Sequence, residues 1–155
     1  MIELQEIALC DVQAFWALHL QYLTQDEIIC DAEELAYFAG REYRDILEAH
    51  MQRETDKHHM LYFVENGVRI GACQYTTYQS EDGKCFILDY WIFAPYRNKG
   101  KGMQCFMALM QYTGKDGARY YALNSTKPAS IRFWKRLGFV ECGMDEWGMK
   151  VFVKR

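Results

Sequence analysis

A mixed α/β fold, built on a mainly antiparallel sheet flanked by helices, is predicted for residues 1–155 by three successive patterns of hydrophobic period. Between residues 11 and 52 apolar side chains recur at helical spacing. Between residues 59 and 93 short apolar runs are separated by Asn-Gly and Asp-Gly, the usual hairpin signals. Beyond Gly102 helical and extended patterns alternate. The order read along the chain is β-α-α-β-β-β-α-β-α-β-β, and no repeat or linker divides it, so one domain is expected.

Residues 1–9 form an opening strand. Asp11 is placed to cap a helix to about Leu23, with Phe15, Leu18, His19 and Tyr22 on one face. A second helix fits Ala32 to Gln52, striped by Leu35, Phe38, Ile46 and Leu47, with Gly40 a point of interruption. Met60–Val64, Val68–Tyr78 and Cys85–Phe93 read as a meander, turning at Asn66-Gly67 and Asp82-Gly83. Gly102 to about Gly114 reads as a helix with Phe106, Leu109 and Met110 inward. Tyr120–Asn124 is a strand, and Ala129–Leu137 is a helix stopped by Gly138. Phe139–Cys142 and Gly148–Val153 supply a closing pair of strands.

Composition excludes several classes of function. Half the residues are apolar and a quarter charged, the balance of a globular chain with a substantial core. The net charge of -3 argues against a nucleic-acid binder, since the one dense basic stretch, Arg97 to Lys101, is short. The six cysteines are scattered, with no Cys-x-x-Cys pair and no local His partner, so neither zinc nor any other metal is expected. Met1–Glu6 lacks the basic and apolar regions of a signal peptide, which points to free, mostly buried thiols in a reducing cytoplasm. No apolar run approaches the roughly 20 residues a bilayer requires, and no membrane association is expected.

The strongest functional signal lies between the third meander strand and the following helix, at Arg97-Asn98-Lys99-Gly100-Lys101-Gly102. Pro95 has no N–H to donate and helps end the strand. Gly100 and Gly102 allow backbone angles and close approaches that side chains block. Consecutive N–H groups can turn inward there, beside the positive end of a helix dipole. With Arg97, Lys99 and Lys101 alongside, this is chemistry for holding a diphosphate. It is not a Walker A loop, because no Gly-Lys-Ser/Thr follows, nor a dinucleotide fingerprint, because position 105 is Cys.

Pro95–Gly102 and Ile131–Phe139, the latter ending in Leu137-Gly138-Phe139, together resemble the two motifs of the GNAT acetyltransferase superfamily, in the family's order and spacing. The resemblance implies a sheet splayed at the cofactor site. It also implies acetyl-CoA as co-substrate, with its pyrophosphate on the backbone N–H groups from Asn98 to Met103. The ends of the strand, Phe93 and Ala94, would pair with the pantetheine arm as though it were another strand. That would align the thioester with its acceptor. Where many members carry an Asn and a proton-donating Tyr, this chain has Lys127 and Trp134. An indole N–H can donate a hydrogen bond but does not titrate as an acid. Trp134 is left to line the pantetheine channel or to fill the core. The first two helices and the acidic loop Thr24–Asp31 would form one wall of the acceptor site.

A lysine-like amine, with a pKa of about 10.4, must lose a proton before attacking; at pH 7 this costs about 4.6 kcal/mol. A base therefore matters more than an acid. Asp89 is the candidate base, because strand alternation puts it on one face with Ile87, Trp91 and Phe93, where apolar neighbours would partly desolvate it. The alternative is that Asp89 caps a turn or pairs with a Lys or Arg. Tyr120 and Tyr121 are alternative acids, one of which should face the cleft, with Tyr121 the candidate. His58 and His59, ahead of a strand, are expected in solvent. Cys73 and Cys142, without an adjacent base, are read as structural thiols.

The sequence thus supports acetyl transfer to a primary amine of a small molecule or peptide, by direct attack in a ternary complex. The alternative is a CoA-binding sensor or interaction module that has lost catalysis. A homodimer is left open.

Overall fold

The computed structural model describes residues 1–155. The elements are β1 (Ile2–Glu6), α1 (Val12–Gln25), α2 (Ala32–Phe38), α3 (Arg41–His50), β2 (His58–Glu65), β3 (Val68–Thr77), β4 (Lys84–Ile92), α4 (Lys101–Gly114), β5 (Tyr120–Asn124), α5 (Pro128–Arg136), β6 (Val140–Met144) and β7 (Lys150–Lys154). The seven strands form one sheet in the order β1-β2-β3-β4-β5-β7-β6. Every neighbouring pair is antiparallel except β4 with β5, which α4 connects as a parallel crossover.

The central strands are covered on both faces, and their alternation divides the core. Met60, Tyr62, Ala72 and Trp91 pack with Phe15 and Trp16 of α1 and with Tyr43 and Leu47 of α3. Leu61, Phe63, Cys73 and Tyr75 pack with Cys105, Phe106 and Leu109 of α4 and with Trp134 of α5. Phe15, Phe63, Phe106 and Phe152 are fully buried.

Several expectations are corrected. The helix read from Ala32 to Gln52 is two helices, because Gly40 adopts an extended backbone (φ -91°, ψ 166°) and opens α3. A Cβ at that position would stand 3.0 Å from the Ala36 carbonyl oxygen. The Asp31 carboxylate caps α2, accepting from the Glu33 N–H. Asp11 precedes α1 but makes no capping bond with its side chain. The first meander strand begins at His58, so His58 lies inside the sheet and is buried. Cys10, Cys30 and Cys142 are exposed, so the thiols are not mostly buried. Cys73, Cys85 and Cys105 are buried, and burial pushes the thiols of Cys85 and Cys105 up to about 12, which leaves them unreactive. No helix is long and apolar enough to cross a membrane.

The most consequential irregularity is in β4. Gln74 pairs with Asp89 while Tyr75 pairs with Ile87, so Leu88 is an extra residue in the ladder. This bulge reverses the alternation. Ile87 faces the α4 side with Cys85, whereas Asp89 bonds to His19 of α1 and Trp91 packs on the α1 and α3 side. Ile87 and Asp89 therefore do not share a face, contrary to simple alternation.

Candidate functional site

β4 and β5 pair only through Lys84–Phe86 with Tyr120–Ala122. Beyond Phe86 β4 runs on to Ile92 without β5 beside it, which opens the sheet. The loop at the end of β4 forms one lip of that opening. The chain passes through a 3-10 turn at Ala94–Tyr96, then takes left-handed angles at Asn98 (φ 62°) and Gly100 (φ 73°) before entering α4. The backbone N–H groups from Asn98 to Met103 have no backbone acceptor in the fold.

The two glycines have different reasons to be there. A Cβ on Gly100 would meet nothing within 4 Å, so its left-handed angle and the open space beside it favour glycine without any packing constraint. A Cβ on Gly102 would stand 2.9 Å from the Phe133 ring, so that glycine lets α5 approach α4. The Tyr90 hydroxyl donates to the Gly102 carbonyl and ties β4 to the same turn. Free N–H groups, left-handed angles, open space and a helix N-terminus suit a diphosphate such as that of CoA.

The side chains of the loop are largely committed elsewhere. Arg97 donates through Nε to the Ile92 carbonyl at 2.7 Å and through both terminal nitrogens to the Asp26 carboxylate. Lys101 pairs with Glu65 at 2.9 Å, and this holds the Glu65 carboxyl below its usual range. Lys99 is exposed. Lys127, at the start of α5, donates to the Asp26 carbonyl at 2.9 Å. Phe93 donates its N–H to Ile70, and its carbonyl accepts from Tyr96. Ala94 is exposed, and its carbonyl accepts from Arg97. Trp134 is 6 % exposed and packs against Tyr90, Phe106 and Phe139, so its indole fills the core.

Asp89 is the centre of a buried polar chain. Its Oδ2 accepts from Gln74 Nε2 at 2.6 Å and lies 3.0 Å from His19 Nε2. Gln74 Oε1 lies 2.8 Å from His58 Nε2, and His58 Nδ1 lies 3.2 Å from the Thr76 hydroxyl. A carboxylate and an amide oxygen are acceptors only, so both imidazoles carry their proton on Nε2. Burial, assisted by His59 and His50 and opposed by Gln74 and Asp89, lowers His58 to about 4, so it is neutral at pH 7. Asp89 Oδ1 makes no hydrogen bond, and the side chain is 15 % exposed. One oxygen is thus fixed by two donors while the other is free.

Aromatic rings wall this carboxylate. His19 lies between Phe15 and Tyr43 in stacked orientation, and Tyr22 stacks on Trp91 at 4.6 Å and 11°. Burial and the Asp89 charge raise the phenols of Tyr22 and Tyr43, so both stay protonated. Sequence reasoning alone does not single out His19, Gln74 or His58 as part of this site. The position of His19 on the apolar face of α1 is the one hint the sequence carries, whereas nothing local marks Gln74.

Tyr121 does not join this group. Its hydroxyl is shared with Thr113 at 2.7 Å and with the Met110 carbonyl, beneath α4. Burial raises its phenol further, and the expected acid is a core residue. Tyr120 turns the other way, and its hydroxyl donates to Asp82 near the surface.

The same architecture recurs among solved structures at low identity, which speaks to the fold alone. The PaiA N-acetyltransferase of Thermoplasma acidophilum in complex with coenzyme A has a TM-score of 0.73 at 15% identity, over 100% of this chain and 99% of that one. An acetyltransferase from Thermus thermophilus has a TM-score of 0.70 at 14% identity, over 99% and 96%. The Salmonella typhimurium acetyltransferase that modifies the N-terminal serine of a 50S ribosomal subunit protein has a TM-score of 0.68 at 17% identity, over 99% and 94%. No curated protein matches the chain by sequence. The family model for acetyltransferases of the GNAT family matches residues 18–139, from α1 through the end of the second motif, and the chain belongs to that family.

Proposed function

We propose that this protein transfers the acetyl group of acetyl-CoA to a primary amine, by direct attack within a ternary complex. The N–H groups from Asn98 to Met103 would hold the pyrophosphate, and the unpaired edge of β4 would align the pantetheine arm in the opening. Acetyl-CoA supplies the activated acyl group. Asp89 would take the proton from the acceptor ammonium, directly or through a water. The observation that carries this reading is the asymmetric Asp89 carboxylate, with Oδ2 held by His19 and Gln74 and Oδ1 free beside aromatic walls.

The acidic loop at Thr24–Asp31 offers less free charge to a cationic acceptor than its sequence implies. Asp26 is paired with Arg97, and Asp31 caps α2. A second reading, a CoA-binding protein without transferase activity, draws support from the acid positions, since Trp134 is core and neither Tyr120 nor Tyr121 faces Asp89.

The test follows thiol release from acetyl-CoA across a panel of amines, with CoA binding measured in parallel. The transferase reading expects turnover, and an Asp89→Asn variant that binds CoA normally while losing about 10²–10³-fold in kcat. CoA binding without turnover on any amine would favour the second reading. An unchanged kcat and pH profile in Asp89→Asn would remove Asp89 from the chemistry.

A further inference from the structure

One residue of the α1–α2 loop spans the opening of the sheet. Asp26 ends α1, its N–H bonding back to the Tyr22 carbonyl. Its carboxylate takes both terminal nitrogens of Arg97, which follows β4, and its carbonyl takes Nζ of Lys127, which follows β5. Arg97 and Lys127 are thus on the two lips, and Asp26 joins them. Both belong to the segments expected to meet the cofactor, and in this conformation the loop engages both terminal nitrogens of Arg97 and one donor of Lys127.

We propose that Asp26 is a positioning residue, a latch that ties the acceptor wall to the phosphate loop and gives way to the diphosphate of the cofactor. The inference rests on the acetyl-CoA reading above. A diphosphate offers more charge and more acceptor oxygens than one carboxylate, and the guanidinium fork fits either. The Arg97–Asp26 pair is partly solvated, with side chains 37% and 23% exposed, and pairs of that kind are modest enough to exchange.

Release would be felt at the candidate base. Tyr22, one turn before Asp26, stacks on Trp91; Trp91 lies 6.0 Å from the His19 ring; and His19 bonds to Asp89. Cofactor binding therefore frees one end of the acceptor wall whose other end touches Asp89.

The experiment measures CoA affinity by calorimetry and backbone hydrogen exchange over residues 22–31, in the wild type, in Asp26→Asn and in Glu27→Gln. Glu27 is an exposed neighbour whose substitution removes the same charge. The latch expects Asp26→Asn to bind CoA about fivefold more tightly, the gain set by a part-exposed ion pair. Glu27→Gln should stay within twofold of the wild type. The segment should exchange faster when CoA is added to the wild type, and should already be fast in Asp26→Asn. Equal or weaker CoA binding by a folded Asp26→Asn overturns the latch alone, as does an equal gain in Glu27→Gln. Wild-type protein that binds no CoA overturns the functional reading and the latch together.

Discussion

Acid should weaken this fold through one histidine that its sequence placed in solvent. His58 is 4% exposed on β2, bonded to Gln74 and Thr76, and its folded pKa is about 4. In the unfolded chain it returns to about 6.5. The folded value is the lower one, so His58 subtracts nothing from stability above pH 6.5. As pH falls below 6.5 the unfolded state gains the proton first, and stability is lost until the folded form also titrates near pH 4. The gap is 6.5 minus about 4, and at 1.36 kcal/mol per unit the full loss is about 3 kcal/mol. That is a large share of the roughly 5–15 kcal/mol typical of a domain. Urea unfolding from pH 7.5 to 4.0 should show this limb in the wild type. In His58→Gln, which cannot titrate, the fall across the same window should be smaller by about 3 kcal/mol. Carboxylates such as Glu6, which burial raises but the bonds from His59 and Tyr112 bring below its usual range, contribute equally to both proteins and cancel in the comparison. Parallel curves for the two proteins would refute the assignment of a buried, neutral His58.

The two loop glycines should separate binding from folding. Gly102→Ala drives a methyl against the Phe133 ring and should cost about 1–3 kcal/mol, read as a lowered Tm and recovered by Phe133→Leu. Gly100→Val adds about 1–2 kcal/mol of left-handed strain and should chiefly weaken CoA binding, measured by calorimetry. Tyr121→Phe should leave kcat and its pH profile unchanged while lowering stability by about 1 kcal/mol through the lost bond to Thr113; a large kcat loss would restore Tyr121 as an acid.

What the sequence made legible was what is locally encoded. Asn66-Gly67 and Asp82-Gly83 place the turns of the meander, and Gly67 and Gly83 take the left-handed angles those turns need. Gly100 carries its own backbone signal, so the left-handed turn into α4 could be read without knowing what surrounds it. The polar chain around Asp89 could not. His19 lies 70 residues from Asp89 and Gln74 lies 15 away, and they meet only because α1 lies across β4 and β3 pairs with it in a particular register. The same applies to Arg97 and Asp26, 71 residues apart, whose opposite charges read as independent surface features until the loop folds over the sheet.

The Leu88 bulge shows where simple alternation misplaces the neighbours of Asp89. Period-two alternation groups Ile87, Asp89, Trp91 and Phe93, and it is correct for Asp89 and Trp91, which both lie toward α1. It fails at Ile87, because one extra residue precedes Asp89 and resets the faces. Without the bulge the register would run on unbroken. With Ile87 facing α4, Asp89 would then face α4 as well, away from His19 and among Cys105, Phe106 and Leu109, where a carboxylate would have no such donors. The bulge therefore does two things at one place. It turns the acid out of the apolar core toward its donors, and it lies just past Phe86, where β4 loses its β5 partner and the sheet opens. The position of the candidate base and the opening of the sheet are consequences of the same stretch of β4. Relocating that extra residue would disturb both together, which no substitution at Asp89 alone can do.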